Sequence, residues 1–228
     1  MHIEPGIVEG SKILLSYGTA AASLVLGVRQ IRQACRQDGV MPLLLRSSVA
    51  SALVFMFFEL FPHVAVGVSE VHLILGTTLL LLFGVAPAAI GLMVGLLVQG
   101  MLFAPSDLPQ YGMNVTTLLL PLFATHHIAQ RIVPEQTPYV DISYSQAFKL
   151  SLAYQGGIIL WVGFWAVYGN GLGAENMASI SSFGLAYLSV VLLEPLFDLA
   201  VLAGAKLVKN RQGSALLQQR LYARPTGE

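Results

Sequence analysis

Charge is what this chain has least of. Lys, Arg, Asp and Glu together make up 11% of its 228 residues, less than half the roughly 25% of an ordinary globular domain. Twelve cations and twelve carboxylates are too few to wet the surface of a water-soluble protein of this length. They cancel to a net charge of zero, so no basic stripe exists to neutralise phosphates, and a nucleic-acid footprint is excluded. Cysteine is nearly absent. Cys35 stands alone, which excludes a disulfide framework and every zinc site built on paired cysteines. No Walker A loop, GxSxG elbow or HExxH helix is present, so the chain is not read as an ATPase or as a hydrolase of those types. Lys and Arg are missing from the first ten residues, MHIEPGIVEG, and this predicts no cleavable signal peptide. The internal repeat that marks many secondary carriers is absent too.

What the chain does have is apolar length. Hydrophobic residues make up 55% of it and the mean hydropathy is +0.71, values that belong to a polytopic protein of the cell membrane. Seven apolar stretches run over 12–28, 42–62, 71–84, 85–104, 113–130, 147–169 and 182–205. The third is short and could instead fuse with the fourth into one helix bent at Pro87. Charge decides between the two. With seven crossings and the N-terminus outside, 11 of the 12 Lys and Arg fall on the cytoplasmic side, leaving only Lys12 outside. Fusing the third and fourth stretches moves seven of those eleven outward. The expectation is therefore an all-α, single-domain membrane protein over residues 1–228, with seven transmembrane helices, N-terminus out and C-terminus in. The tail after Lys209 is expected to fray or to lie among the headgroups.

The opening Met1-His2 is the first candidate for chemistry. With Met1 retained, the α-amine, the His2 amide nitrogen and the His2 imidazole can close fused chelate rings around one metal ion. A fourth nitrogen would complete a square-planar site suited to Ni(II) or Cu(II). His72, in SEVHLILG, is expected to open the third helix on the same side of the membrane. His63 competes for that role from the end of the second helix, four residues after Glu59. His126 and His127 fall near the inner end of the fifth helix beside Arg131, where anchoring is the expected use. Glu194 and Asp198 sit one turn apart inside the seventh helix, around Pro195. They read either as a proton relay or as a buried pairing with Arg46 or contact with a partner protein. Small residues recur every four positions in the first helix, at Ser16-Ala20 and Gly18-Ala22, a spacing that lets another helix approach closely.

These residues resemble a known family, the substrate-binding membrane (S) components of energy-coupling-factor importers for cobalt or nickel, the CbiM/NikM group. MHIEPG resembles the family's Met-His-Ile/Leu-x-x-Gly opening, with Gly6 in register. His72-Leu73-Ile74-Leu75-Gly76 is similar to its later histidine segment, and GVAPAAIGLMVGLLVQGMLF to its next helix. Gly112-Met113-Asn114 resembles its Gly-Ala-Asn segment, which makes Asn114 a candidate support for the site. The likeness covers about residues 1–130. Glu4-Pro5 and the loop leading to His72 depart from the family pattern. The resemblance implies a metal held by Met1, His2 and His72, with Co(II) or Ni(II) as cargo and no resident cofactor. It also implies a transmembrane coupling (T) protein and two ABC ATPases as partners, with Ser16, Gly18, Ala20 and Ala22 as a docking face for the T protein. The rival reading is a stand-alone proton- or metal-coupled secondary transporter working through Glu194 and Asp198. An intramembrane enzyme ranks below both, because no nucleophile–base pair appears.

Overall fold

The computed structural model describes residues 2–134, 137–207 and 216–222. Within them lie α1 (Leu14–Gln37), α2 (Val40–Glu59), β1 (Val64–Val66), β2 (Ser69–Val71), α3 (Gly76–Phe83), α4 (Val85–Leu102), α5 (Tyr111–Ile132), α6 (Tyr144–Asn170) and α7 (Ala174–Leu207). Among the described residues, five helical segments are long and apolar enough to cross a membrane: Gly10–Gln37, Val40–Glu59, Val85–Leu102, Tyr144–Asn170 and Ala174–Leu207. Their outer faces carry bare leucines, such as Leu160 at 76%, Leu185 at 71% and Leu192 at 70% exposure. An apolar girdle of that kind belongs in lipid, and the chain is a multi-pass membrane protein.

The third stretch is where sequence and structure part. It is not a full-length helix. Val64–Val66 and Ser69–Val71 pair antiparallel as a hairpin, a non-helical link follows, and only Gly76–Phe83 is helical. Eight residues rise about 12 Å, well short of the roughly 30 Å hydrocarbon core. The β-branched valines that flank Gly67, at positions 64, 66, 68 and 71, favour the strands. Gly67 itself has φ +62, and a Cβ there would strike the Ser179 carbonyl. The fused-helix alternative fails as well. The chain breaks at Gly84, with φ +93, and Pro87 sits harmlessly in the first turn of α4.

The legs nonetheless alternate between two ends of one bundle. At one end gather the hairpin, the starts of α1, α5 and α7, and the last turns of α2 and α6, where a Cβ on Gly169 would meet the Ile7 carbonyl. At the other end α3 finishes against α5, α6 and α7, with Leu81, Ala129, Leu150 and Leu202 in one buried cluster. Leu221, from the tail, is buried in that cluster too, and Gln218 donates from its side chain to the Leu80 and Leu81 carbonyls. The frayed tail predicted from sequence is therefore wrong for residues 216–222. Residues 208–215 and 223–228 lie outside the described residues. Arg46 also departs from expectation: it pairs with Asp38 near the α1–α2 connection, not with the acidic pair of α7.

A candidate metal centre at the hairpin end

The N-terminal segment behaves as a third strand. Ile3 bridges Ser69 on the free edge of the hairpin. Around it, the Glu70 amide donates to the His2 carbonyl (2.9 Å) and the Glu4 amide to the Val68 carbonyl (3.2 Å). The Ser69 hydroxyl donates to the same His2 carbonyl at 2.7 Å. On the other side, the Ile3 amide donates to Asn114 Oδ1 of α5 at 2.8 Å. Ile3 is 1% exposed, and Val8, Met113 and Trp165 form its apolar seat. This docking fixes the backbone from the His2 carbonyl to Glu4, and the His2 side chain is buried inside the bundle.

His2 and His72 meet there. They are 4% and 2% exposed, respectively, and their ring centroids are 5.7 Å apart. Phe58 of α2 packs edge-on against both, at 5.9 Å and 4.6 Å. His72 does not open a helix as predicted. It follows β2 directly, and its Nδ1 lies 3.3 Å from the Leu73 carbonyl, a contact that favours the proton on Nδ1 and so Nε2 as the basic nitrogen. Glu70 completes the cluster. Its Oε2 accepts from His2 Nδ1 at 2.5 Å, and ligand atoms of His2, Glu70 and His72 all lie within 4.8 Å of one another. Met1, the other residue proposed from sequence to hold metal, lies outside the described residues.

Two more carboxylates face this centre. Asp107 Oδ2 is 4.0 Å from His2 Nε2, and half-buried Glu4 interacts with both Glu70 and Asp107. Burial raises the pKa of Glu4, and the charges of Glu70 and Asp107 raise it further. Asp107 is also raised, chiefly by burial, with Glu70 adding to the shift and His2 opposing it. Glu70 ends below the ordinary carboxyl value: burial pushes it up, but the His2 hydrogen bond and neighbouring positive charge outweigh that. Three carboxylates converging on two imidazoles make a cation-attracting mouth.

The other residues singled out from sequence are elsewhere. His63 is exposed beyond the end of α2. His126 and His127 sit in the last turns of α5, His126 bonded to Gln130 at 3.2 Å. Of the small-residue face, Ser16 is buried against Gly112 of α5 and Ala20 packs on the core, so this pair serves internal packing. Gly18 and Ala22 remain exposed. Glu70 was missed by sequence reading, although its spacing was informative. Residues 70 and 72 share a face only if the chain is extended, and the helical reading of this stretch hid that.

A family model described as CbiM, cobalt uptake substrate-specific transmembrane region, matches residues 2–211. A crystal structure of a transition metal transporter superposes with a TM-score of 0.70 at 16% identity, covering 92% of this chain and 95% of that one. A truncated transition metal transporter gives 0.64 at 14% identity, covering 92% and 99%. At those identities the two structures speak for the fold. No curated protein matches the chain significantly.

Proposed function

The chain belongs to the CbiM family of cobalt uptake substrate-specific transmembrane regions, a family of transport components rather than enzymes, and from that premise we propose that it captures Co(II) or Ni(II) at the hairpin end for ATP-driven import. The observation that carries this reading is the pair of buried imidazoles, 5.7 Å apart, with a carboxylate against one of them. With Met1 as the mature N-terminus, four nitrogens hold the ion: the α-amine, the His2 amide, His2 Nδ1 and His72 Nε2. Only Nδ1 of His2 can close a six-membered ring with its own amide nitrogen, and in the metal-free chain that atom is the one bonded to Glu70. Metal entry therefore exchanges a carboxylate for a cation at Nδ1, and Glu70 either swings aside or joins the coordination from its flank. Glu4 and Asp107 add to the field that draws the cation in.

Orientation follows from charge. Among the described Lys and Arg, Lys12 alone sits at the hairpin end, so the positive-inside bias puts that end outside and the Gln218 end in the cytoplasm. Energy comes from a T protein and two ABC ATPases, with Gly18 and Ala22 on the surface offered to the T protein. The carrier reading is less favoured, because the Glu194 carboxylate is already engaged by two backbone amides and Gln155. Uptake by vesicles lacking the ATPases would revive it.

The decisive experiment uses the α-amine. Purified protein beginning at Met1 should bind one Ni(II) or Co(II) per chain. Residues added before Met1 convert the amine to an amide and should abolish binding, and proteolytic restoration of Met1 should recover it. An extended protein that binds with native affinity would refute the chelate.

A further inference from the structure

Glu194 is fully buried in α7 and reaches into the loop that carries His72. Its Oε1 accepts from the Ile74 amide and, at 3.0 Å, from the Leu75 amide. Its Oε2 accepts from Gln155 Nε2 of α6. Gln155 is held in turn, its Oε1 accepting from the Tyr187 hydroxyl at 2.6 Å. Glu194, Gln155 and Tyr187 are each 0% exposed. A carboxylate deep in the bundle thus takes three donors, and two of them are backbone groups two and three residues beyond His72.

The turn that Glu194 holds needs holding. Leu75 has φ +56, the one positive φ at a non-glycine position among the described residues, and a branched side chain occupies that region only when its surroundings impose it. Gly76 follows with the Tyr154 ring where a Cβ would be. Ile74 and Leu75 are themselves buried, so their amides have no water to turn to if the carboxylate is lost.

We propose that Glu194 is a positioning residue for the metal site: by clamping the Ile74 and Leu75 amides it fixes the 72–75 link in the one conformation that aims His72 at His2. The clamp itself stands on the hydrogen bonds above, whereas its consequence for metal rests on His72 being a ligand. A carboxylate whose only task was to end-cap α3 would affect stability. A positioning carboxylate also alters the geometry of the bound ion.

The test uses the full chain with Met1 as first residue, in detergent or nanodiscs. In the metal-free protein, Glu194→Leu should speed amide hydrogen exchange in residues 74–76 at least tenfold. Glu194→Gln, whose carbonyl oxygen can still accept both amides once the Gln155 amide turns over to accept from the new NH2, should stay near wild type. With Ni(II), Glu194→Leu should lose at least tenfold in affinity, and its visible absorption should move away from that of the four-nitrogen square-planar ion. Glu194→Gln should restore both. Val162→Ala, a core truncation in α6, serves as the control for general destabilisation and should keep the native spectrum. If Glu194→Leu fails to fold, Gln155→Met removes the buttress alone and should show the same changes in smaller degree.

Unchanged exchange in Glu194→Leu, or in Gln155→Met in its place, would overturn the clamp whatever the metal data say. Faster exchange with native Ni(II) affinity and spectrum would overturn its positioning role, as would an affinity loss no larger than that of Val162→Ala. Full binding by His72→Ala would instead sink the assignment of His72 as ligand, and with it the link from clamp to metal.

Discussion

Asn114 offers a way to weaken the proposed metal site without touching any ligand. Its side chain is 1% exposed, and among the described residues its Oδ1 accepts the Ile3 amide at 2.8 Å. Asn114→Leu preserves approximate volume and removes the acceptor, leaving the Ile3 N–H buried and unpaired. Such a loss costs about 1–3 kcal/mol. The penalty falls on the docked state of the N-terminal segment, the state that carries His2 to His72. Apparent metal affinity scales with the fraction of molecules in the competent state. If docking is marginal, the expected loss in affinity is therefore roughly 5- to 150-fold at 1.4 kcal/mol per decade.

That range is a ceiling, because three other hydrogen bonds still hold the segment: Glu70 N–H and Ser69 O–H to the His2 carbonyl, and Glu4 N–H to the Val68 carbonyl. Competition with a chelator of known affinity measures the loss. Hydrogen exchange over residues 2–5 reports undocking independently. Asn114→Asp keeps an acceptor at the same place and adds negative charge near a cation site, so it should bind metal at least as tightly as wild type. The reasoning fails if Asn114→Leu binds Ni(II) as wild type does while its N-terminal amides stay protected.

Three further outcomes follow from the same geometry. His72→Ala should abolish tight metal binding, whereas His63→Ala, His126→Ala and His127→Ala should retain most of it, as read by calorimetric titration. Gly67→Ala should destabilise the hairpin end by about 2 kcal/mol or more, since it combines φ +62 with a Cβ placed on the Ser179 carbonyl; a thermal melt equal to wild type would count against it. Glu70 is held below its ordinary value of 4.5 in the folded chain, so its contribution to stability is present above that value and lost as pH falls through the folded pKa. The melting-temperature gap between wild type and Glu70→Gln should therefore be full at pH 7 and close under acid; a gap that does not narrow would refute the His2–Glu70 pairing.

Most of the bundle was legible because lipid imposes a simple rule on sequence: a span must be apolar and about 20 residues long. Stretches 42–62, 85–104, 113–130 and 147–169 match helices Val40–Glu59, Val85–Leu102, Tyr111–Ile132 and Tyr144–Asn170 closely. Hydropathy misplaces ends where a helix runs on past the apolar core. The first helix continues to Gln37 through Arg29, Arg32 and Arg36, and the seventh begins at Ala174, ahead of the apolar stretch that starts at 182. The third stretch misled for a different reason. Val, Leu and Ile there serve a hairpin, a buried link and a short helix, and hydropathy over a 14-residue stretch cannot tell a span from that mixture. His2, His72 and Asn114 were legible as residues, through composition at the terminus and through resemblance. Glu70 and the role of Glu194 were not, because each depends on which strand or loop lies opposite.

The short third helix shows why those residues had to be distant ones. Irregular backbone at membrane depth is tolerated only where protein supplies the hydrogen bonds that water cannot, and α3 exposes such groups at both ends. The amides just before its first residue, from Ile74 and its N-cap Leu75, are taken by Glu194, some 120 residues away in sequence. Its trailing carbonyls at Leu80 and Leu81 are taken by the Gln218 side chain, and that of Leu82 by the Gln218 backbone amide. An eight-residue helix capped from α7 at one end and from the C-terminal segment at the other is a joint, not a wall. It leaves residues 72–75 outside any helix, with Leu75 in the left-handed region, which is what allows His72 to be carried below the hairpin, into the bundle, and against His2. A continuous helix over 71–84 would have satisfied its own backbone and needed neither Glu194 nor Gln218. It would also have placed residues 70 and 72 on different faces, with only one of them able to meet the N-terminal histidine.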